Sequence, residues 1–503
     1  MLQCVIIALE KANARLYDGY KLIRQKSKGD VKGIMKKFNL KKTVAVVLTA
    51  AAITGCFSGC NLKGGKSNGK VQLTVSNWPA DTSVTNKALY EGWKAKMEEK
   101  YPNIEVVPDK SVYDPKTFFA KASSGQLPTI ILTPLTELDK IVDAGYAADL
   151  TSYMEKYKYT ESMNPTLREF VTRDNKLWAL PTNIYAMGLY CNRKLFEKAG
   201  LVNSDGTLMY PKTYDELIQT AKTITEKTGE AGFATGTMNN TGGWLFMNIA
   251  WSFGVDFMEE KNGKYVATFD SQECIDAINY IKDLKWKYNV LPSNTLIDQA
   301  ELRKLYALGK VGMVFTAPPD NALVRDYNMS IDDQYVVRVP EGPAGRYAQM
   351  GGNLYMISNT ATDEEIDAAF KWFEIIGKSP SLTDESKSAL EKELETYNKD
   401  GWVVTEKQFF DIWVNKDRTD AENAIRKKYT NVKPEAFADY FSFENVIVKA
   451  EEPVAAQQLY STLDSVIQAV LTDKNADVAA LVKQAAQDFE KNNLSDKTTN
   501  TKG

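Results

Sequence analysis

Hydrophobic positions in the first third of the chain follow two different periods. Val71, Leu73 and Val75 take every second place, as in a half-buried strand, while Leu89, Trp93 and Met97 recur at four-residue steps on one face of a helix that starts after Thr85. Pro102 stops that helix, and residues 104–107 read as a second strand. The alternation continues as helix over 118–123, strand over 129–132 and helix over 135–144. Strands alternating with helices predict an α/β lobe built from right-handed crossovers. The loops leaving the strand C-termini, 77–81 and 133–134, are then expected on one rim, where ligands bind in such sheets.

A further round of signals predicts a second lobe, with strands over 188–191 and 311–315 and helices over 214–225 and 272–288. Its middle is rich in glycine and aromatic residues. From Asp363 onward the pattern is largely helical, with Ile366, Ala369, Phe370, Phe373 and Ile376 on one face and Leu459, Leu463, Val466, Ile467 and Val470 on another. No internal repeat is found, and the polar residues after Asn493 read as a disordered tail.

Ahead of these elements lies a different pattern. Counting from Met35, Lys36, Lys37, Lys41 and Lys42 precede an apolar run over 43–53, and Thr54 and Gly55 lead to Cys56. This is the layout of a lipoprotein export signal. Cys60 is a second candidate for the lipid, but Phe57 stands where Ile53 supplies an aliphatic residue before Cys56. The run falls short of the ~20 apolar residues of a membrane span, which disfavours an uncleaved anchor. Residues 1–34 mix Glu10 and Asp18 with basic residues and fit no signal, so translation is expected to start at Met35; the rival is a cytoplasmic extension. The Gly-rich stretch 57–69 reads as a flexible tether.

Charge separates the leader from the rest. Of 62 Lys+Arg and 65 Asp+Glu, residues 1–55 hold 11 and 3, which leaves 51 against 62 and a net charge of −11 beyond them. An acidic surface argues against nucleic acid and against adsorption to anionic lipid, so a covalent lipid is the expected membrane attachment. Cys191 and Cys274, the thiols left beyond the leader, are expected as buried apolar residues; neither a disulfide framework nor a metal site is expected. The chain has no histidine. That removes Ser-His-Asp and Cys-His nucleophiles, imidazole-ligated zinc and imidazole proton shuttles, and leaves chemistry run by carboxylate pairs, Lys or Tyr.

The motifs KLWALP (176–181), LYCNRKLFEKAGL (189–201) and PKTYDEL (211–217), supported by SGQLPTIIL (124–132), DAGYAADLT (143–151), LGKVGMVFTAPPD (308–320), VPEGPAGR (339–346), GGNLYMIS (351–358) and AAFKWFEIIG (368–377), carry a resemblance. Over most of residues 70–475 the chain resembles the extracellular solute-binding lipoproteins of ABC importers, in particular the binders of maltodextrins and other oligosaccharides. It departs from that pattern at Thr129, Cys191 and Tyr214, where the family more often has Asp, Tyr and Trp. Pro319 and Asp320 replace an aromatic sugar platform.

The resemblance implies an α/β, two-lobed periplasmic-binding-protein-like fold of type II, with hinge segments near 184–187 and 335–337 and a largely helical C-terminal part. The expected division is an upstream extension 1–34, signal peptide 35–55, tether 56–69, an N-terminal lobe of 70–184 plus 336–376, a C-terminal lobe of 187–334 plus 377–493, and a tail 494–503. It also implies a monomer that needs no cofactor and passes its ligand to permease subunits. Closing two lobes on a solute needs only a few hinge dihedrals to change.

A carbohydrate cleft mixes flat aromatic faces for C–H groups with polar groups for hydroxyls. Trp78 and Asp81 after the first strand, Tyr185 at the hinge, and Trp244 with Asn248 in NNTGGWLFMN are the candidates, Trp244 by its match to a family platform position. Tyr185 either faces the ligand or packs at the hinge, and Asp320 either bonds a hydroxyl or caps a helix. Gly351, Gly352 and Asn353 are read as a close backbone approach to the ligand, with a plain turn as the alternative, and Trp402 as a further wall; Trp251 and Trp286 are assigned to the core. The expected function is a lipid-anchored receptor that delivers an oligosaccharide to an ABC permease without chemistry of its own. The alternatives are a secreted enzyme acting on carbohydrate through a carboxylate pair, and a binder of peptides or other polar solutes. An acidic sugar would require Arg or Lys in the cleft, which the sequence alone does not place.

Overall fold

Two mixed sheets, each wrapped by helices, organise the chain in a computed structural model that describes residues 69–495 apart from 409 and 443. Cys56, the segments 1–34 and 35–55, nearly all of the tether and most of the tail lie outside the described residues. In the first sheet Val71–Val75 pairs in parallel with Ile104–Pro108 and Ile130–Pro134. The long strand Tyr347–Ile357 joins antiparallel to Ile130–Pro134 on one side and to Ala179–Ala186 on the other, and its start pairs with Ile447–Ala450. Val71, Leu73 and Val75 point into the core, as do Leu89, Trp93 and Met97 of the helix Val84–Lys100, as their two periods require.

The second sheet has the order Gln334–Val337, Gly188–Asn192, Val311–Thr316, Ala231–Ala234. Every residue of its first three strands is buried, because helices cover both faces. Cys191 and Cys274 sit buried in its core as free thiols. The helix Thr241–Phe253, hidden in sequence by its glycines, packs at backbone contact on the helix Ala456–Thr472: a Cβ on Gly243 would stand 2.4 Å from Tyr460 Cα.

The lobes are joined where Ala179–Ala186 of the first sheet runs through Met187 into Gly188–Asn192 of the second, and where Gln334–Val337 leads back to Tyr347–Ile357. Two expected boundaries are corrected. Gln334–Val337 is a full strand of the second sheet, and residues 341–344 hydrogen-bond to Lys212 and Ser252, so the first lobe resumes near residue 347 rather than 336. The span 377–493 does not belong wholly to the second lobe. Ala389, Ile412 and Trp413 lie in the first lobe's core, the Thr85 hydroxyl donates to Asp400 at 2.8 Å, and Asn164 N donates to Ile412 O at 2.8 Å. The helices Asp384–Lys399 and Lys416–Tyr429 meet each other over Leu390, Leu394, Val404 and Ile425. The chain returns to the second core at Pro434–Ser442, and buried Leu494 extends that core one residue into the expected tail. Among the described residues no helix is long and apolar enough to cross a membrane.

Candidate functional site: the interlobe cavity

A cavity of about 560 Å³ opens between the two lobes, within the range of small-molecule sites. Six pieces of chain build it. The crossing strand Ala179–Ala186 brings Thr182 to Tyr185, and the helix Thr241–Phe253 brings Trp244. The helix Gln299–Ala307 and the loop after Val311–Thr316 supply Arg303 and Asp320. The segment that leans on the first lobe closes the remaining side with Tyr397, Lys407 and Arg426, next to Phe441 of Pro434–Ser442.

Three of the sequence-chosen residues line this space. Tyr185 packs its ring over Gly351, where a Cβ would stand 2.6 Å from the phenol, so the glycine is required by the tyrosine. Burial raises the Tyr185 phenol well above its ordinary value, which leaves it a neutral donor and acceptor. Trp244 is half-buried in the wall. Asp320 is 4 % exposed, and its carboxylate accepts from Arg303 Nε at 2.7 Å and from the Thr316 hydroxyl at 2.8 Å. It therefore fixes Arg303 and has little capacity left for a sugar hydroxyl.

The other choices are corrected by where they sit. Trp78 is 3 % exposed, stacked on Trp372 at 6.2 Å and edge-on to Tyr90 at 5.3 Å, because the helix Asp363–Ile375 covers the strand end that the sequence leaves open. Asp81 lies outside the cavity with its side chain 67 % exposed, where Lys87 and Lys110, each at 2.6 Å, hold its carboxyl down at about 2. Neither loop expected at the rim lines the cavity; the crossing strand takes their place. Asn248 is fully buried and ties helix to strand, accepting from Gln349 N at 2.9 Å and donating to Leu245 O at 3.1 Å.

Gly352 and Asn353 serve the same crossing. A Cβ on Gly352 would meet Asn183 O at 2.3 Å, and Asn353 Nδ2 donates to Asn183 Oδ1 at 3.0 Å, so both join strand to strand rather than strand to ligand. Trp402 stands behind the wall, its ring 4.9 Å from that of Tyr397. Trp251 is buried as expected, and Trp286 donates its indole N–H to Val470 O at 2.8 Å.

Sequence reading missed Arg303, Lys378, Tyr397, Lys407, Arg426 and Phe441, all of which line the cavity. All six lie on helices or in connections, where the local pattern does not say in which direction a side chain looks. The two acids of the lining are both engaged, Asp320 as above and Glu393 by the Tyr397 hydroxyl at 2.8 Å. Behind Trp244, burial pushes the Glu451 carboxyl up to about 7, although the Tyr460 hydroxyl donates to it at 2.7 Å. Among the described residues no group of three or more Cys, Asp or Glu is arranged to hold a metal ion.

Comparison with known proteins places this geometry. The polygalacturonan/rhamnogalacturonan-binding protein of Bacillus subtilis is 23 % identical over 432 residues, which cover 78 % of this chain and 79 % of that protein. The fold matches the maltose-bound MalE3 of T. maritima with a TM-score of 0.60 at 21 % identity, covering 83 % of this chain and 99 % of the other. It matches UgpB of Mycobacterium tuberculosis, in complex with glycerophosphocholine, with a TM-score of 0.64 at 12 % identity, covering 85 % of this chain and 98 % of the other. The likeness to these structures establishes the two-lobed solute-binding fold. Residues 80–377 match the family model described as bacterial extracellular solute-binding protein, and the chain belongs to that family.

Proposed function

We propose that the protein captures an oligosaccharide in the interlobe cavity and delivers it to the permease of an ABC importer, held at the outer face of the membrane by a lipid on Cys56. The observation that carries the reading is the lining itself: Tyr185 and Trp244 from facing lobes, with Tyr397 and Phe441 beside them, offer ring faces among polar groups. Rings stack on the C–H faces of sugars and the polar groups meet hydroxyls. A ligand touching both lobes favours the closed arrangement by its differential contacts, which is what a permease can recognise. Two of the similar proteins support a saccharide, one by its name and one by the maltose it holds, whereas UgpB holds glycerophosphocholine.

The protein is read as a carrier without catalysis. The lining acids Asp320 and Glu393 are each committed to a neighbouring side chain, an arrangement that suits holding a wall in place more than transferring a proton. A melting-temperature screen of the purified protein against oligosaccharides, with product analysis of each hit, tests this. Ligand at about 100 times its Kd should stabilise the fold by about 2.7 kcal/mol and be recovered intact. A sugar returned cleaved would contradict the reading, as would a shift with peptides alone. Incorporation of labelled palmitate, lost in Cys56→Ser, tests the anchor.

A further inference from the structure

The charge of the cavity is opposite to that of the chain. The protein carries a net charge of −3, yet its cavity is lined by Arg303, Lys378, Lys407 and Arg426 against Asp320 and Glu393. Some of these cations are already matched. Arg303 gives its Nε to Asp320, and Arg426 gives its Nε to Glu422, which Arg418 also holds at 2.7 Å. The Arg303 bond uses one of the five N–H donors of the guanidinium.

Lys378 and Lys407 are different. Among the described residues neither ammonium has an acid within ion-pair distance, although Lys378 acts at longer range on Glu422 and Lys407 on Asp411. Lys407 instead lies over the ring of Phe441, 5.2 Å from its centroid. An ammonium in a cavity that closes loses water, and that cost is recovered only when a negative partner enters with the ligand. A neutral sugar offers hydroxyls and no charge.

We infer that the cavity selects an acidic saccharide, with Lys378 and Lys407 meeting its oxyanions and the free edge of Arg303 reaching a third polar group. This deepens the proposed saccharide reading and rests on it. Carboxylate, sulfate and phosphate share the chemistry that two ammonium groups recognise; uronate chains and sulfated sugars are therefore separate arms of the test. Aromatic rings remain useful to such a ligand, since a uronic acid keeps the C–H faces of its parent sugar.

The experiment is calorimetric titration of the purified protein with trigalacturonate, with its neutral counterpart galactotriose, and with sulfated galactose oligosaccharides. At least one acidic arm should bind about 10-fold or more tighter than the neutral sugar, the size expected when a charge-assisted hydrogen bond is gained. Its affinity should fall as salt rises from 0.05 to about 0.5 M, while neutral binding stays flat. The double variant Lys378→Gln, Lys407→Gln should remove the preference, and Lys407→Arg should keep it. A neutral sugar bound as tightly as the acidic ones, or a preference surviving the double variant, overturns this inference and leaves the saccharide reading intact. Absence of binding to any saccharide overturns both.

Discussion

Two aromatic clusters of similar make-up do opposite things in this molecule. Around Trp78, the rings of Tyr90, Trp93 and Trp372 close on one another at 4.9–6.5 Å, and three of the four are buried in the first lobe. Around the cavity, Tyr185, Trp244, Tyr397 and Phe441 keep part of their surface facing open space, with Lys407 and Arg303 among them. The chemistry of the rings does not distinguish the clusters. A covering helix does: Asp363–Ile375 lays Trp372 over Trp78, whereas among the described residues the rings of the cavity wall keep open space before them. A ring whose faces are filled by protein supplies stability, and one left with a free face supplies recognition.

Substitution should separate the two. Trp78→Ala leaves a void under Trp372 and is expected to cost about 3–5 kcal/mol in denaturant unfolding, with ligand affinity unchanged in the folded protein. Loss of affinity without loss of stability would return Trp78 to the site. A second contrast is titration, because the wall has a half-buried acid behind it. Glu451 has its carboxyl raised from 4.5 to about 7 by burial. Below 4.5 the group is protonated folded and unfolded; between 4.5 and about 7 the folded chain holds the extra proton, so stability falls as pH rises through that window and levels off above it. The fall should amount to about 3 kcal/mol, and Glu451→Gln should flatten it. An unchanged pH profile in that variant would place the titrating group elsewhere. At the small end, Asp81→Asn should alter neither melting temperature nor affinity, since both partners of Asp81 are surface lysines.

Local periodicity made much of the scaffold legible. The burial of Val71, Leu73 and Val75 and of Leu89, Trp93 and Met97 follows directly from periods of two and about four, and the unbroken apolar run at 188–191 is a strand covered on both faces. What stayed hidden depends on contacts between distant segments. The helices Asp384–Lys399 and Lys416–Tyr429 announce themselves by their pattern, but only Thr85 meeting Asp400 and Asn164 meeting residue 412 say which lobe they rest on.

The site divides in the same way. Tyr185 and Trp244 stood out as aromatic residues in crossing or glycine-rich segments, and both line the cavity. Lys378 and Lys407 look in sequence like any solvated lysine, because their importance comes from the wall they face. Trp78 misled for the mirror-image reason: its cover arrives from a helix almost 300 residues later.

The most direct test compares the affinity of the wild-type protein and Trp244→Ala for an oligosaccharide that raises the wild-type melting temperature. Far-ultraviolet circular dichroism and unfolding would confirm that the variant is folded. The expected result is a loss of about 10–100-fold, the size typical of an aromatic anchor in a binding pocket. Unchanged affinity in a folded Trp244→Ala variant would contradict the claim that the ligand is held in the cavity between the lobes.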